Sequence, residues 1–130
     1  MGGRGINDLG TKAYCLADFI LCCMNDQKNV MVFGDPERDA RIQFGLNTKA
    51  ELLDFIGNQG LQDLMYWNTE LWRLNPRKSE DIYIDAYKFR SNQKIGYIAF
   101  MKGFTCKYAI KSFHLDHDKT SLKRLVQENY

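Results

Sequence analysis

Both histidines of the chain lie in one short run, Lys111-Ser112-Phe113-His114-Leu115-Asp116-His117. An imidazole takes up or releases a proton near neutral pH, which suits it to general acid–base work. A nearby Lys111 or Arg90 would stabilise the negative charge of a phosphorane-like transition state. Ser112 could hydrogen-bond the phosphate. Cleavage of RNA by its own 2′-hydroxyl needs a base, an acid and a cation, and no metal. The expected catalytic residues are therefore His114, Lys111 and Arg90. The same histidine would serve equally well as a strand-end residue holding a structural hydrogen bond. His114-x-Asp116-His117-Asp118 has residue types that suit zinc or manganese. Four ligands crowded at a strand end rarely reach one ion, however, and Asp118 reads more simply as a helix N-cap. No metal and no cofactor is expected.

Charge is unevenly spread. Residues 1–72 carry 6 Lys+Arg against 10 Asp+Glu, and residues 73–130 carry 12 against 6. An acidic half followed by a basic half suits a phosphate-binding surface, and a solvated charged face would read the same way. Lys88, Lys102 and Lys107, with Tyr87 and Ser112, are the expected nucleic-acid contacts. Cations hold phosphates and tyrosine rings hold splayed bases, an arrangement suited to single-stranded RNA. Each tyrosine is also an ordinary strand former.

These residues need a scaffold. At 130 residues, 45% of them hydrophobic, the chain is one domain with a real core. Residues 1–8 read as a flexible Gly-rich tail and residues 9–130 as a single α+β domain. Leu9, Ala13, Leu16, Phe19, Ile20 and Cys23 recur at helical spacing. Asn29–Phe33, the turn Gly34-Asp35-Pro36 and the alternating Ala40, Ile42 and Phe44 predict a hairpin over 29–45. Thr48-x-x-Glu51 is a capping box that starts a helix ending at Gly57. Leu61, Leu64, Met65, Asn68, Leu71 and Trp72 predict a second helix over about 60–73, packing Leu61, Leu64 and Trp72 onto the sheet. Strands at about 81–90, 95–102 and 107–115 form an antiparallel meander, with Ile82, Ile84, Ile98 and Ile110 buried. A last helix follows Asp118–Ser121. The predicted order is α-β-β-α-α-β-β-β-α: an antiparallel sheet, made of the C-terminal meander and the N-terminal hairpin, packed by helices.

In a regular strand Ile110, Ser112 and His114 share one face and Lys111 and Phe113 the other. Lys111 and His114 then converge only if the strand twists strongly, bulges or ends near Ser112. Cys15, Cys22, Cys23 and Cys106 have neither disulfide-framework nor zinc spacing and read as small reduced core residues. The apolar run Ala13–Met24 is too short to span a bilayer, and no secretory signal is visible. A cytoplasmic protein without a membrane contact is expected.

The meander, the basic sheet and the stretch Lys94–His114 ending in Tyr-Ala-Ile-Lys-Ser-Phe-His together resemble the RelE-like endoribonuclease toxins. More broadly they resemble the barnase–EndoU–colicin–RelE nuclease superfold. The resemblance covers roughly residues 49–130, and Gly2-Gly3-Arg4-Gly5 is similar to the start of small phage and prophage proteins. It implies a metal-independent endoribonuclease of toxin type, held in check by an antitoxin. A second function class uses the same basic face without catalysis. That protein would be phage- or mobile-element-encoded and would bind and inhibit a host defence complex that handles nucleic acid.

Overall fold

The computed structural model describes residues 11–103 and 105–116. The expected flexible tail at 1–8 and the expected last helix after Asp118 lie outside the described residues. The described chain is α+β. Three helices, α1 (Leu16–Asn25), α2 (Gly34–Phe44) and α3 (Lys49–Gly57), accompany five strands. The strands are β1 (Val30–Val32), β2 (Gln62–Leu71), β3 (Tyr83–Ser91), β4 (Lys94–Lys102) and β5 (Tyr108–Leu115), in the order β1-β5-β4-β3-β2. All neighbours pair antiparallel except β1, which runs parallel to β5.

The expected meander over 80–115 is present. Asn92, at φ 56°, makes the two-residue turn between β3 and β4, a left-handed conformation that asparagine tolerates. Ile98 and Ile110 are fully buried and Ile82 nearly so, whereas Ile84 is only half-buried. The capping box also forms: Thr48 Oγ1 accepts from the Glu51 amide at 3.0 Å. Glu51 in turn accepts from the Asn47 amide at 2.8 Å, one residue before the cap. Gly96 sits directly under the Phe89 ring from the neighbouring strand, where a Cβ would collide with it.

Two expected elements are different. The hairpin over 29–45 does not exist, because residues 34–44 form α2. Gly34-Asp35-Pro36 is a helix start rather than a turn: proline fits the first turn, and Asp35 and Glu37 face the positive end of the helix dipole. Gly45 closes the helix at φ 70°, with the Leu46 amide donating to the Ala40 carbonyl. Pro36 and Ala40 form the buried stripe at i, i+4, and Ile42, which completed the apparent alternation, is 68% exposed. The helix over 60–73 is likewise absent, and β2 occupies it. Register shifts between Gln62 and Met65 and between Tyr66 and Asn68 add residues to the strand, with Asp63 at φ 52°. Each bulge turns a step of two into a step of three, so a strand acquires near-helical spacing.

All three helices pack on one face of the sheet. Phe19 and Cys23 of α1, Ala40 of α2, and Leu52, Leu53 and Ile56 of α3 bury against Tyr87, Phe89, Ile98, Phe100, Ile110 and Phe113. Leu64 joins this core from the start of β2, and Leu61 from just before it, rather than from a helix. Cys23 is the buried cysteine; Cys15 and Cys106 are exposed, so the reading of all four as core residues is corrected. No helix among the described residues is long and apolar enough to cross a membrane.

Burial together with neighbouring Cys22 pushes the Cys23 thiol up to about 12, and burial also raises the hydroxyls of Tyr14, Tyr87, Tyr97 and Tyr108. Between the ordinary thiol value of 9.0 and about 12 the folded chain holds protons that the unfolded chain has lost. Their stabilising contribution is complete below the unfolded values and disappears as pH rises through the folded ones. Urea midpoints are expected to fall steadily above pH 9; a midpoint flat to about pH 11 would contradict this burial.

Candidate functional site

The opposite face of the sheet carries no helix from the described residues, and the bulge in β5 decides what stands on it. β4 and β5 pair as Ala99 with Ser112 but Phe100 with Ile110, so Lys111 is the extra residue. Ile110 and Phe113 consequently both face the helices, and Lys111, Ser112 and His114 share the open face. This is the convergence that a regular strand forbids. Ile84, Ala86 and Ala99 floor a depression of about 110 Å³, rimmed by Asn68, Glu70, Tyr97, Lys111 and Ser112.

His114 stacks on Tyr97, with ring centroids 5.1 Å apart and planes inclined by 18°. Its Nδ1 lies 2.8 Å from the Leu115 carbonyl. A carbonyl only accepts, so Nδ1 carries the hydrogen in this contact. The Leu115 amide donates to Gln43 Oε1 of α2 at 2.6 Å, and the Asp116 amide to the Ile95 carbonyl at 2.8 Å. The backbone that orients the imidazole is thus anchored on both sides. The Asn68 amide donates to Glu70 Oε2 at 2.8 Å and aims that carboxylate. Burial, and after it the charges of Glu70 and Asp116, hold the Tyr97 hydroxyl above its ordinary range, so it stays a donor.

Other expected contacts lie elsewhere. Tyr87 is on the helix face and 1% exposed, so its ring offers no surface to a base. Lys88 does stand on the open face, but its Nζ is consumed. It pairs with Asp116 Oδ1 at 2.8 Å, lies 4.5 Å from the Trp67 ring centroid and 5.1 Å from that of Tyr97, and is buried. It props the ring on which His114 stacks and does not reach solvent phosphate. Arg90 lies one step further along β3 on this face, in a partly exposed pair with Asp63 at 3.4 Å. Such a pair contributes little and leaves the guanidinium available.

Lys102 and Lys107 are not part of this group. Lys102 is five residues beyond Tyr97 on β4, about 17 Å away. It lies over the Tyr108 ring on the helix face, beside Asp18 and Asp26. The expected single basic patch is therefore split between two faces. Asp116 is committed to Lys88, and no group of three metal-ligating side chains occurs among the described residues; His117 and Asp118 lie outside them.

Glu70 is the residue that sequence reasoning missed, because a helix over 60–73 placed it away from the sheet. The signal was the strand formers Tyr66, Trp67 and Thr69. No protein-family model, curated protein or solved structure matches this chain.

Proposed function

We propose that the protein is a metal-independent endoribonuclease that binds single-stranded RNA on the open face of its sheet. The observation that carries this reading is the bulge at Lys111, which puts a cation, a hydroxyl and an imidazole on one face of the sheet, Lys111 and Ser112 lining the same depression as Glu70 and His114 stacking on Tyr97 at its rim. Glu70 takes the proton of the 2′-hydroxyl, and O2′ attacks the adjacent phosphorus. The P–O5′ bond breaks, and protonated His114 gives its Nε2 proton to the departing O5′. The products are a 2′,3′-cyclic phosphate and a 5′-hydroxyl. Lys111 and Ser112 hold the phosphoryl oxygens as charge develops on them, and Arg90 attracts the flanking backbone. Throughout, Nδ1 keeps its bond to the Leu115 carbonyl, which holds the ring in place.

The resemblance to RelE-like toxins points the same way and would make an antitoxin the natural partner. A matched pair of oligonucleotides tests the chemistry. RNA should be cut, and the same sequence in DNA, which has no 2′-hydroxyl, should stay intact. Equal cleavage of both would overturn the mechanism. Binding of RNA without any cleavage would favour the inhibitor of a host nucleic-acid complex.

A further inference from the structure

We infer that the Trp72 pocket is a subsite for one nucleobase of the RNA strand, next to the scissile phosphate; this rests on the nuclease reading above. The pocket has a volume of about 520 Å³ and is lined by Trp72, Arg73, Asn75, Lys78, Asp81 and Ile82, with Leu71 behind them. It lies beside the depression along the same face: Trp72 follows Glu70 and Ile82 precedes Ile84 by two residues each, about 7 Å along an extended chain, and Trp72, Ile82 and Ile84 belong to one apolar cluster. A strand whose phosphate lies against Lys111 and Ser112 therefore brings a neighbouring base to this pocket.

The pocket is preformed. Asn75 is buried, its side-chain amide donating to the Glu80 carbonyl and its oxygen accepting from the Arg77 amide at 2.8 Å. Lys78 Nζ donates to the Arg73 carbonyl at 2.9 Å, which closes the loop on itself. Trp72 is half-buried and fixed against Phe33, ring centroids 6.2 Å apart. These rings come from the two edges of a five-stranded sheet, which flat strand spacing would separate by about 19 Å. The two rings therefore reach toward each other across this end of the sheet, and Trp72 lines the pocket beside them. A rigid indole beside two cations and one carboxylate suits a flat, apolar-faced ring attached to phosphate. A base stacks on Trp72, and Arg73 and Lys78 take its phosphate.

The test uses the full chain carrying His114→Ala, which holds RNA uncut, and a single-stranded hexaribonucleotide with an abasic ribose placed at each position in turn. One position should lose about 5- to 100-fold in affinity, the range for one base–aromatic stack. Adding Trp72→Ala should erase most of that loss at that position only, because base and indole are partners. Since Trp72 also braces Phe33, Arg73→Ala with Lys78→Ala supplies a second readout: a shallower salt dependence of binding. Abasic losses that are unchanged by Trp72→Ala, or a salt slope unchanged by the double variant, overturn the subsite alone. No RNA binding by the His114→Ala chain at low salt overturns both the subsite and the nuclease reading.

Discussion

Replacing His114 with alanine is expected to slow RNA cleavage by about 10²- to 10⁴-fold, the contribution of one positioned acid–base group. Affinity should hardly change. The imidazole gives a proton at one step, whereas the strand is held by Lys111, Ser112 and Arg90. Single-turnover rates and equilibrium binding, measured on the same labelled RNA, separate the two effects. The Glu70→Gln variant should show the same split, because the amide keeps the Asn68 contact but takes no proton. If either variant lost binding and cleavage together, its side chain would be holding the strand rather than moving protons.

The largest loss of stability is expected from Asp85→Ala. Asp85 is fully buried near the start of β3, and its carboxylate gathers three donor groups. The Ala13 amide lies 2.9 and 3.0 Å from its two oxygens, the Tyr14 amide at 2.9 Å, and the Thr69 hydroxyl at 2.6 Å. Tyr66 donates in turn to Thr69, and Tyr14 donates its hydroxyl to the Tyr83 carbonyl at 2.7 Å. Asp85 thus ties the segment preceding α1 to the sheet. Each donor left without its acceptor costs about 1–3 kcal/mol, so the variant should lose at least about 3 kcal/mol by urea denaturation. Asp85→Asn, which keeps one acceptor oxygen, should lose less. An Asp85→Ala chain as stable as the wild type would show that water replaces the carboxylate.

The sequence made the meander legible because its turns and alternation are local. Asn92-Gln93 and the period-two runs of β3 and β4 need no tertiary information. What misled was periodicity created by something else. Ala40, Ile42 and Phe44 alternate by chance on a helix whose buried stripe is Pro36 and Ala40, and only packing reveals that Ile42 is outside. In β2 two bulges changed the spacing, and the strand formers Tyr66 and Trp67 were the better guide.

The same device governed the candidate site. Sequence alone named Lys111, Ser112 and His114 and set the condition for their meeting, a strand that twists strongly, bulges or ends near Ser112. It could not choose between regular and bulged strands, because that choice depends on Ile110 and Phe113 both seeking the helix side. Burial was equally hidden. Nothing in the sequence marks Tyr87 as enclosed, or Lys88 as bound to Asp116 between two rings. Lys102 and Lys107 show how a basic half of a chain divides once strands are folded side by side.

End-group analysis of the cleaved RNA tests the proposed chemistry most directly. Purified protein is incubated with single-stranded RNA at low salt in the presence of a metal chelator. The expected fragments carry 2′,3′-cyclic phosphate and 5′-hydroxyl termini, and His114→Ala protein should produce almost none of them. RNA left intact by the wild-type chain, or cut to 3′-hydroxyl and 5′-phosphate ends, would contradict the account.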